Sequence, residues 1–421
     1  MFAAHARRLR ADERGAVAVV FAFVLIPMVL FAGVAMDYTR FASAKAKLDA
    51  AADAAVLAAT SNSTNTASAE AARKIAQDLF STLADNARPL NVDGLNVTVS
   101  DKGVDRTAQL SYTARMRTTL GGVVGMEWMT ANGYATSAQS RAPYLDFYLV
   151  LDNSPSMGVG ATTADIAKMV ANTSDKCAFA CHDMSNANNY YDLAKKLGVT
   201  TRIDVLRSAT QSLMDTAASL AAMPNQFRIG IYDFGADAAN AKLTEITPLT
   251  PILANAKAKA GTIDLMTVPY QNYNNDMLTP LTAIMQAANQ TISDPGDGSG
   301  PSTPQKVMFL VSDGVADEYN PTGCSRPTAG GGRCQAPITV SQCDAIKARG
   351  VRIAVLYTTY LPLPTNGWYN TWLAPFAGAI SPRMSACASP GLFFEVSPSQ
   401  GIAEAMAALF KQAVVVARLT K

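Results

Sequence analysis

The chain has 421 residues and a mass of 44.4 kDa, room for two or three domains and at least one sizeable core. Its 35 Lys+Arg and 33 Asp+Glu leave a net charge of +2, with only 16% charged residues. That balance excludes the basic footprint of a nucleic-acid binder and the acidic excess of a disordered tail. The two histidines, His5 and His182, exclude a multi-His zinc site. Any Ser-His-Asp triad would have to use His182, because His5 lies in the N-terminal leader.

Residues 1–14 form a basic tail carrying Arg7, Arg8, Arg10 and Arg14. Gly15 to Met36 then runs for 22 residues without a charge. At about 1.5 Å per residue this predicts a helix that crosses a hydrocarbon core of about 30 Å. Arginines before it and Asp37 after it leave the tail in the cytoplasm and export the rest of the chain. Pro27 lies mid-span, where a kink is tolerated. A cleaved signal peptide ending near Gly33-Val34-Ala35 is the rival reading, but the stretch exceeds the usual apolar region of about 7–15 residues. Phe41, Leu48, Ala52, Ala55, Val56 and Ala59 continue one helical face beyond the span, which favours a retained anchor.

Arg-Gly-Ala-Val-Ala-Val-Val-Phe, the apolar span, Asp37-Tyr38 and the Ala-rich continuation together resemble the N-terminal region of TadE/TadG-like proteins of Flp (tight adherence) pilus assembly. The resemblance runs from about Asp12 to Ala59. Pseudopilins of that family carry a Glu five residues past the processed Gly, and here Val20 stands at that position. The departure argues for the retained, TadG-like type. What the resemblance implies is a single-pass protein of the bacterial inner membrane with a periplasmic body.

The polar stretch 61–66 separates this helix from a second one expected over about Glu70 to Asp85. Alternating segments at Leu95–Val99 and Ala108–Ala114 follow, read as strands of a small α+β module that closes near Arg141. Residues 37–141 are therefore taken as helical extension and spacer or docking module. From Tyr144 to the C-terminus, apolar runs alternate with helical stretches, the pattern of an α/β domain with a doubly wound, mostly parallel sheet. Strands are expected at Leu145–Leu151, Phe227–Tyr232, Val307–Val311, Val351–Tyr357 and Leu392–Val396. Ile203, Leu206, Leu213, Ala217 and Leu220 mark one amphipathic helix, and Ile402, Met406, Leu409, Phe410 and Ala413 another. Asp294–Pro304 and Asn320–Pro337 read as irregular loops.

The first strand of this domain ends in Asp152-Asn153-Ser154-Pro155-Ser156. Three oxygen side chains at alternate positions past the C-terminal end of a parallel strand lie where such sheets bind ligands. They are hard donors suited to Mg²⁺. Further along, Thr279 precedes a helix start and Asp313 follows the strand Val307–Val311. Asp-x-Ser-x-Ser with a later Thr and a later Asp is similar to the metal-ion-dependent adhesion site (MIDAS) of von Willebrand factor A domains, over about Tyr144 to Leu419. It implies a Rossmann-like fold, with Mg²⁺ or another divalent cation held by Asp152, Ser154, Ser156, Thr279 and Asp313. An open metal position then takes a carboxylate from a partner protein. Pro155 stands where the family often has Gly, and Met277-Leu278 where it has a Gly pair; Thr282 competes with Thr279 for the third segment. Taken singly, each fragment is an ordinary turn. A hydrolase would need a placed base and usually a second metal, and no second carboxylate cluster is visible in the sequence.

All six cysteines fall in this domain, and in an exported chain an even number reads as up to three disulfides with 15 full pairings. Cys324–Cys334 within one Gly-rich loop is the first expectation, leaving Cys343–Cys387 and Cys177–Cys181. Cys177-x-x-x-Cys181-His182 has one spacer residue too many for c-type haem attachment. Asp294–Gly300 lacks the terminal bidentate Glu of a calcium loop. The combined expectation is a membrane-anchored, non-enzymatic, metal-dependent protein-binding component of Flp pilus assembly. It binds pilin or other assembly proteins and adhesion partners, and neither nucleic acid nor a small-molecule substrate. The rivals are a von Willebrand A scaffold of another envelope or secretion complex, and a thiol or haem redox protein.

Overall fold

The computed structural model describes residues 14–61, 64, 67–359, 362–364, 366–397 and 401–419. The basic tail before residue 14, and most of the polar stretch 61–66, lie outside them. The chain divides into two units, Met1–Arg141 and Ala142–Lys421.

In the first unit, helix α1 (Arg14–Thr60) runs unbroken through Pro27. It is long and apolar enough to cross a membrane. Side chains from residue 17 to residue 29 are exposed on every face, Phe23 at 75% and Val17 at 70%. Beyond Asp37 the same helix becomes amphipathic. Ala44, Leu48, Ala52, Ala55, Val56 and Ala59 are buried against helix α2 (Ala69–Ala84) and a three-stranded antiparallel sheet. Small alanines let the helices and sheet approach closely. Ser68 caps α2, its hydroxyl accepting the Ala71 N–H at 3.1 Å.

The sheet has the order β1 (Asn91–Lys102), β2 (Asp105–Arg117), β3 (Trp128–Ser140). The central strand β2 buries every second residue from Arg106 to Met116, as a sheet covered on one face requires. Two of the three strands are expected from the sequence. β3 is the one missed, because Thr, Ala, Gly and Ser dominate it and give little strand propensity. Its Gly133 is needed for packing, since a Cβ there would collide with the Tyr112 ring.

The second unit is three-layered. Its six-stranded sheet has the order β11–β10–β7–β4–β5–β6, with β4 (Leu145–Leu151), β5 (Phe227–Asp233), β6 (Thr244–Thr250), β7 (Gln305–Ser312), β10 (Arg352–Thr358) and β11 (Phe393–Val396). Four neighbouring pairs are parallel and the edge pair β5–β6 is antiparallel, so the sheet is mixed where a mostly parallel one is expected. β6 escapes sequence reading because it is polar and contains Pro248, which is tolerated on an edge strand. A small antiparallel pair joins β8 (Val315–Tyr319), just before the segment read as an irregular loop, to β9 (Arg333–Pro337), inside it. The Cys324–Cys334 disulfide closes its turn.

Helices of this unit are α3 (Thr163–Asn172), α4 (Tyr190–Leu197), α5 (Arg202–Leu220), α6 (Leu253–Ala260), α7 (Leu281–Thr291), α8 (Val340–Ala348), α9 (Ala377–Cys387) and α10 (Ile402–Leu419). β4 is central and buried throughout. Leu145, Phe147, Leu149 and Leu151 face α5, α6 and α10, while Tyr148 and Val150 face α7, α8 and α9. Phe147 meets Phe410 at 4.3 Å between ring centroids. The Cys343–Cys387 disulfide ties α8 to α9.

The charged exception in β4 is Asp146, fully buried between Lys306 (2.5 Å) and Arg228 (2.7 Å). Asp146→Asn leaves Lys306 inside the fold without its counter-charge. A loss of about 3–5 kcal/mol in chemical denaturation of the full chain is expected.

Candidate metal centre and adjoining cleft

The C-terminal ends of β4 and β7 lie side by side, Leu151 against Val311. The residues that follow them, Asp152 and Asp313, are both fully buried. Asp152 is fixed from both sides. Its Oδ1 accepts the Ser154 N–H (3.0 Å) and the Ser154 hydroxyl (2.6 Å), and its Oδ2 accepts the Ser312 hydroxyl (2.6 Å). Ser154 Oγ lies 3.1 Å from Ser156 Oγ, so one string of oxygens runs from the strand end outward to the half-buried Ser156.

Pro155 does not disturb this string. It occupies the first position of a 3₁₀ turn, Pro155–Gly158, where its fixed φ is suited and no N–H is needed. Asn153, between the two ligand-type residues, points the other way. Its amide donates to Gly235 O and accepts from Phe234 N–H, joining the end of β4 to the end of β5. Past Asp313 the chain turns sharply at Gly314, φ +74°, a conformation that favours glycine.

Thr279 immediately precedes Pro280 and α7, and it pairs through backbone bonds of 3.0 Å with Asp317, just beyond Asp313. Thr282 is engaged elsewhere, donating its hydroxyl to Glu318 at 2.6 Å. Thr279 and Ser156 line one cleft, and Thr282 does not. Contacts thus bring Asp152, Ser154 and Ser156 into one string with Asp313 beside it. Thr279 shares the lining of the cleft with Ser156. The segment leading to Thr279 holds Asn272, Asn274, Asn275 and Asp276 at positive φ, residue types that tolerate the left-handed region through local hydrogen bonding.

Burial and the neighbouring Asp313 charge push the Asp152 carboxyl up to about 7, against the pull of the serine hydroxyls. Two buried carboxylates repel each other unless a cation stands nearby. Part of that cation is built in: Arg202, the first residue of α5 and itself fully buried, lies 3.7 Å from Asp313 and donates to Thr359 O. Sequence reading misses Arg202, because an arginine in a first helical turn looks like surface. With both carboxylates ionised, as a bound cation would require, the one guanidinium leaves one negative charge amid serine and threonine oxygens. This donor set fits a hard divalent cation with retained waters. Among the described residues no cluster of three or more His, Cys, Asp or Glu gathers, so the hydroxyls are essential to any such site.

The cleft beyond Ser156 and Thr279 has a volume of about 420 Å³. Arg333 forms one wall, bound by both oxygens of Asp317 (2.8 and 2.6 Å), with Trp368 stacked on its guanidinium at 4.3 Å. Cys177 and Cys181 also line the cleft. The expected Cys177–Cys181 bridge is not formed. The backbone between them is held against Gly158–Val159, and the Cys177 sulfur instead engages the Phe179 backbone. Burial raises both thiols, Cys181 to about 12, which keeps them protonated. His182 packs on Tyr191, with Nδ1 towards Leu265 O. Asp297 in the 294–304 loop folds back on Ser299 and Thr303 as a local turn.

Residues 15–74 match the family model described as "Tad: Putative Flp pilus-assembly TadE/G-like". No curated protein matches the chain. Among solved structures, the vWF domain of the type V pili tip protein Mfa5 from Porphyromonas gingivalis is similar at 12% identity, over 67% of this chain and 98% of that one, with a TM-score of 0.38. The pilus adhesin SpaC from Lactobacillus rhamnosus GG is similar at 12% identity, over 77% of this chain and 34% of that one, with a TM-score of 0.38.

A carboxyl raised on folding contributes stability that is complete below its unfolded value and is lost as pH rises through its folded value. In EDTA, the thermal midpoint of the full chain should therefore fall as pH climbs from about 4 to about 7. Asp152→Asn should shrink that slope, and an unchanged slope would show that Asp152 does not titrate in this window.

Proposed function

We propose that this protein is a membrane-anchored, TadG-like component of Flp pilus assembly or attachment, whose second unit is a von Willebrand A-type domain that grips a partner through a divalent cation. The observation that carries the reading is the hydroxyl-carboxylate string Asp152–Ser154–Ser156 beside buried Asp313, at the C-terminal edge of the sheet and open to a cleft. In this reading α1 spans the inner membrane through Gly15–Met36, and the body lies on the periplasmic side. The TadE/G-like match over residues 15–74 supports the pilus context.

Asp152, Ser154, Ser156, Thr279 and Asp313 would hold the cation, with Mg²⁺ the preferred ion for this oxygen set. When bound, it offers a partner carboxylate an open coordination position. The protein's own residues do the rest. Asn153 and the bond between Ser312 and Asp152 hold the strand ends in register, so the donors are arranged before a ligand arrives. Arg202 balances Asp313, which lowers the charge the cation must offset. The cleft then receives the partner chain on either side of its carboxylate. Hydroxyls and carboxylates gathered as cation donors at the mouth of a cleft support binding rather than catalysis. The partner is pilin or another pilus-assembly protein.

The reading is tested in a strain lacking this protein. Adherent Flp pili should be lost, restored by the wild-type chain and not restored by Asp152→Ala expressed at the same level. Normal, adherent pili in the deletion strain would contradict the pilus role. Full restoration by Asp152→Ala would contradict the metal-dependent one.

A further inference from the structure

The segment joining β2 to β3 bears on the same membrane. From Thr118 to Met126 it carries no charge, and it holds Leu120, Val123, Val124 and Met126. These four and Trp128, the first residue of β3, are exposed, Val123 at 71% and Trp128 at 51%. A soluble spacer gains nothing from such a loop, and its position explains it. The loop is fastened to α1 where the apolar span ends. Asp37 is buried beneath it and accepts the backbone N–H groups of Thr119, Leu120 and Gly121 at 2.9–3.1 Å. Those bonds hold the Asp37 carboxyl down at about 2. Leu120 reaches one helical turn further, covering Gly33, where a Cβ would collide with it. Four residues of helix put that contact about 6 Å inside the level of Asp37.

If residues 15–36 lie in a bilayer, the loop cannot stand clear of it. We propose that the Leu120–Trp128 loop is a second membrane contact, an apolar wedge seated in the outer leaflet of the inner membrane beside the anchor helix. The wedge rests on the reading of α1 as a membrane span. Charged side chains ring the loop. Arg40 donates to Thr119 Oγ1 at 2.9 Å, and Arg115 lies over the Trp128 ring at 5.2 Å. With Arg117 these are three cations set among three carboxylates, Asp37, Asp93 and Glu127, Arg115 pairing with Asp93 at 2.9 Å and Arg40 lying 4.0 Å from Asp37, so the apolar loop has a rim of mixed charge. A tryptophan at the rim of an apolar surface is the arrangement favoured at membrane interfaces. The wedge fixes the first unit against the bilayer at two points rather than one, which restricts its rotation about the helix axis.

Single-tryptophan fluorescence of the full chain in lipid vesicles tests this, in a Trp128→Phe, Trp368→Phe, Trp372→Phe background. Three reporters are compared: Phe23→Trp in the span, Val123→Trp in the loop and Tyr134→Trp on exposed β3. Brominated phospholipids should quench most of the emission at 23 and at 123 and little at 134, while aqueous acrylamide shows the reverse order. Quenching at 23 without quenching at 123 overturns the wedge and leaves the anchor standing. An indole at 123 shielded from both quenchers also overturns it, because a protein then covers the loop. Equal lipid quenching at 123 and 134 would mean the loop is not the contact. Absence of quenching at 23 removes the anchor, and the wedge with it.

Discussion

Two carboxylates, Asp152 and Asp313, are buried at the ends of adjacent parallel strands, and much of the second unit is arranged around keeping them there. Burial alone disfavours their charge, and their proximity disfavours it further. Ser154 and Ser312 hydrogen-bond Asp152, Arg202 stands beside Asp313, and the sharp turn at Gly314 takes the chain away from the pair. What remains is a small, oxygen-lined negative centre under the mouth of a cleft. A rigid sheet is the natural support for it. β4 is covered on both faces, and Asn153 and the backbone bond from Asp152 to Val311 tie its end to both neighbouring strands.

A different constraint governs the first unit. Its one long helix changes solvent at Asp37. From residue 17 to residue 29 every side is apolar and exposed, and beyond Asp37 one apolar face is covered by α2 and the sheet. Asp37 marks the change and uses it. Its carboxylate satisfies the backbone donors of the β2–β3 loop, so the folded module is latched to the helix where the helix leaves its apolar segment.

Much of this was legible in the sequence, and the failures have physical causes. β4 was readable to the residue, because a central strand buried on both sides is an apolar run, broken here only by Asp146, that ends in turn formers. The amphipathic helices α5 and α10 were readable from their spacing. Strands that need no apolar run were not: β6 on the edge with its proline, β3 with its small residues, and β8–β9, whose stability comes from a disulfide and the Arg333–Asp317 pair. Order and spacing single out Asp152, Ser154, Ser156 and Asp313, which the fold does bring together, but that Thr282 bonds Glu318, 36 residues further along the chain, has no signal in spacing. Arg202 carried no signal at all. Its role exists only because the turn before α5 delivers it to Asp313, and spacing cannot reveal a contact across more than a hundred residues.

Capture of partners by the detergent-solubilised full chain tests the central claim most directly, with wild type and Asp152→Ala compared in Mg²⁺ and in EDTA. Pilin or pilus-assembly proteins should be retained by wild type in Mg²⁺ and lost in the other three conditions. Equal capture under all four would contradict a cation-mediated grip and move the partner-binding surface away from the Asp152 centre.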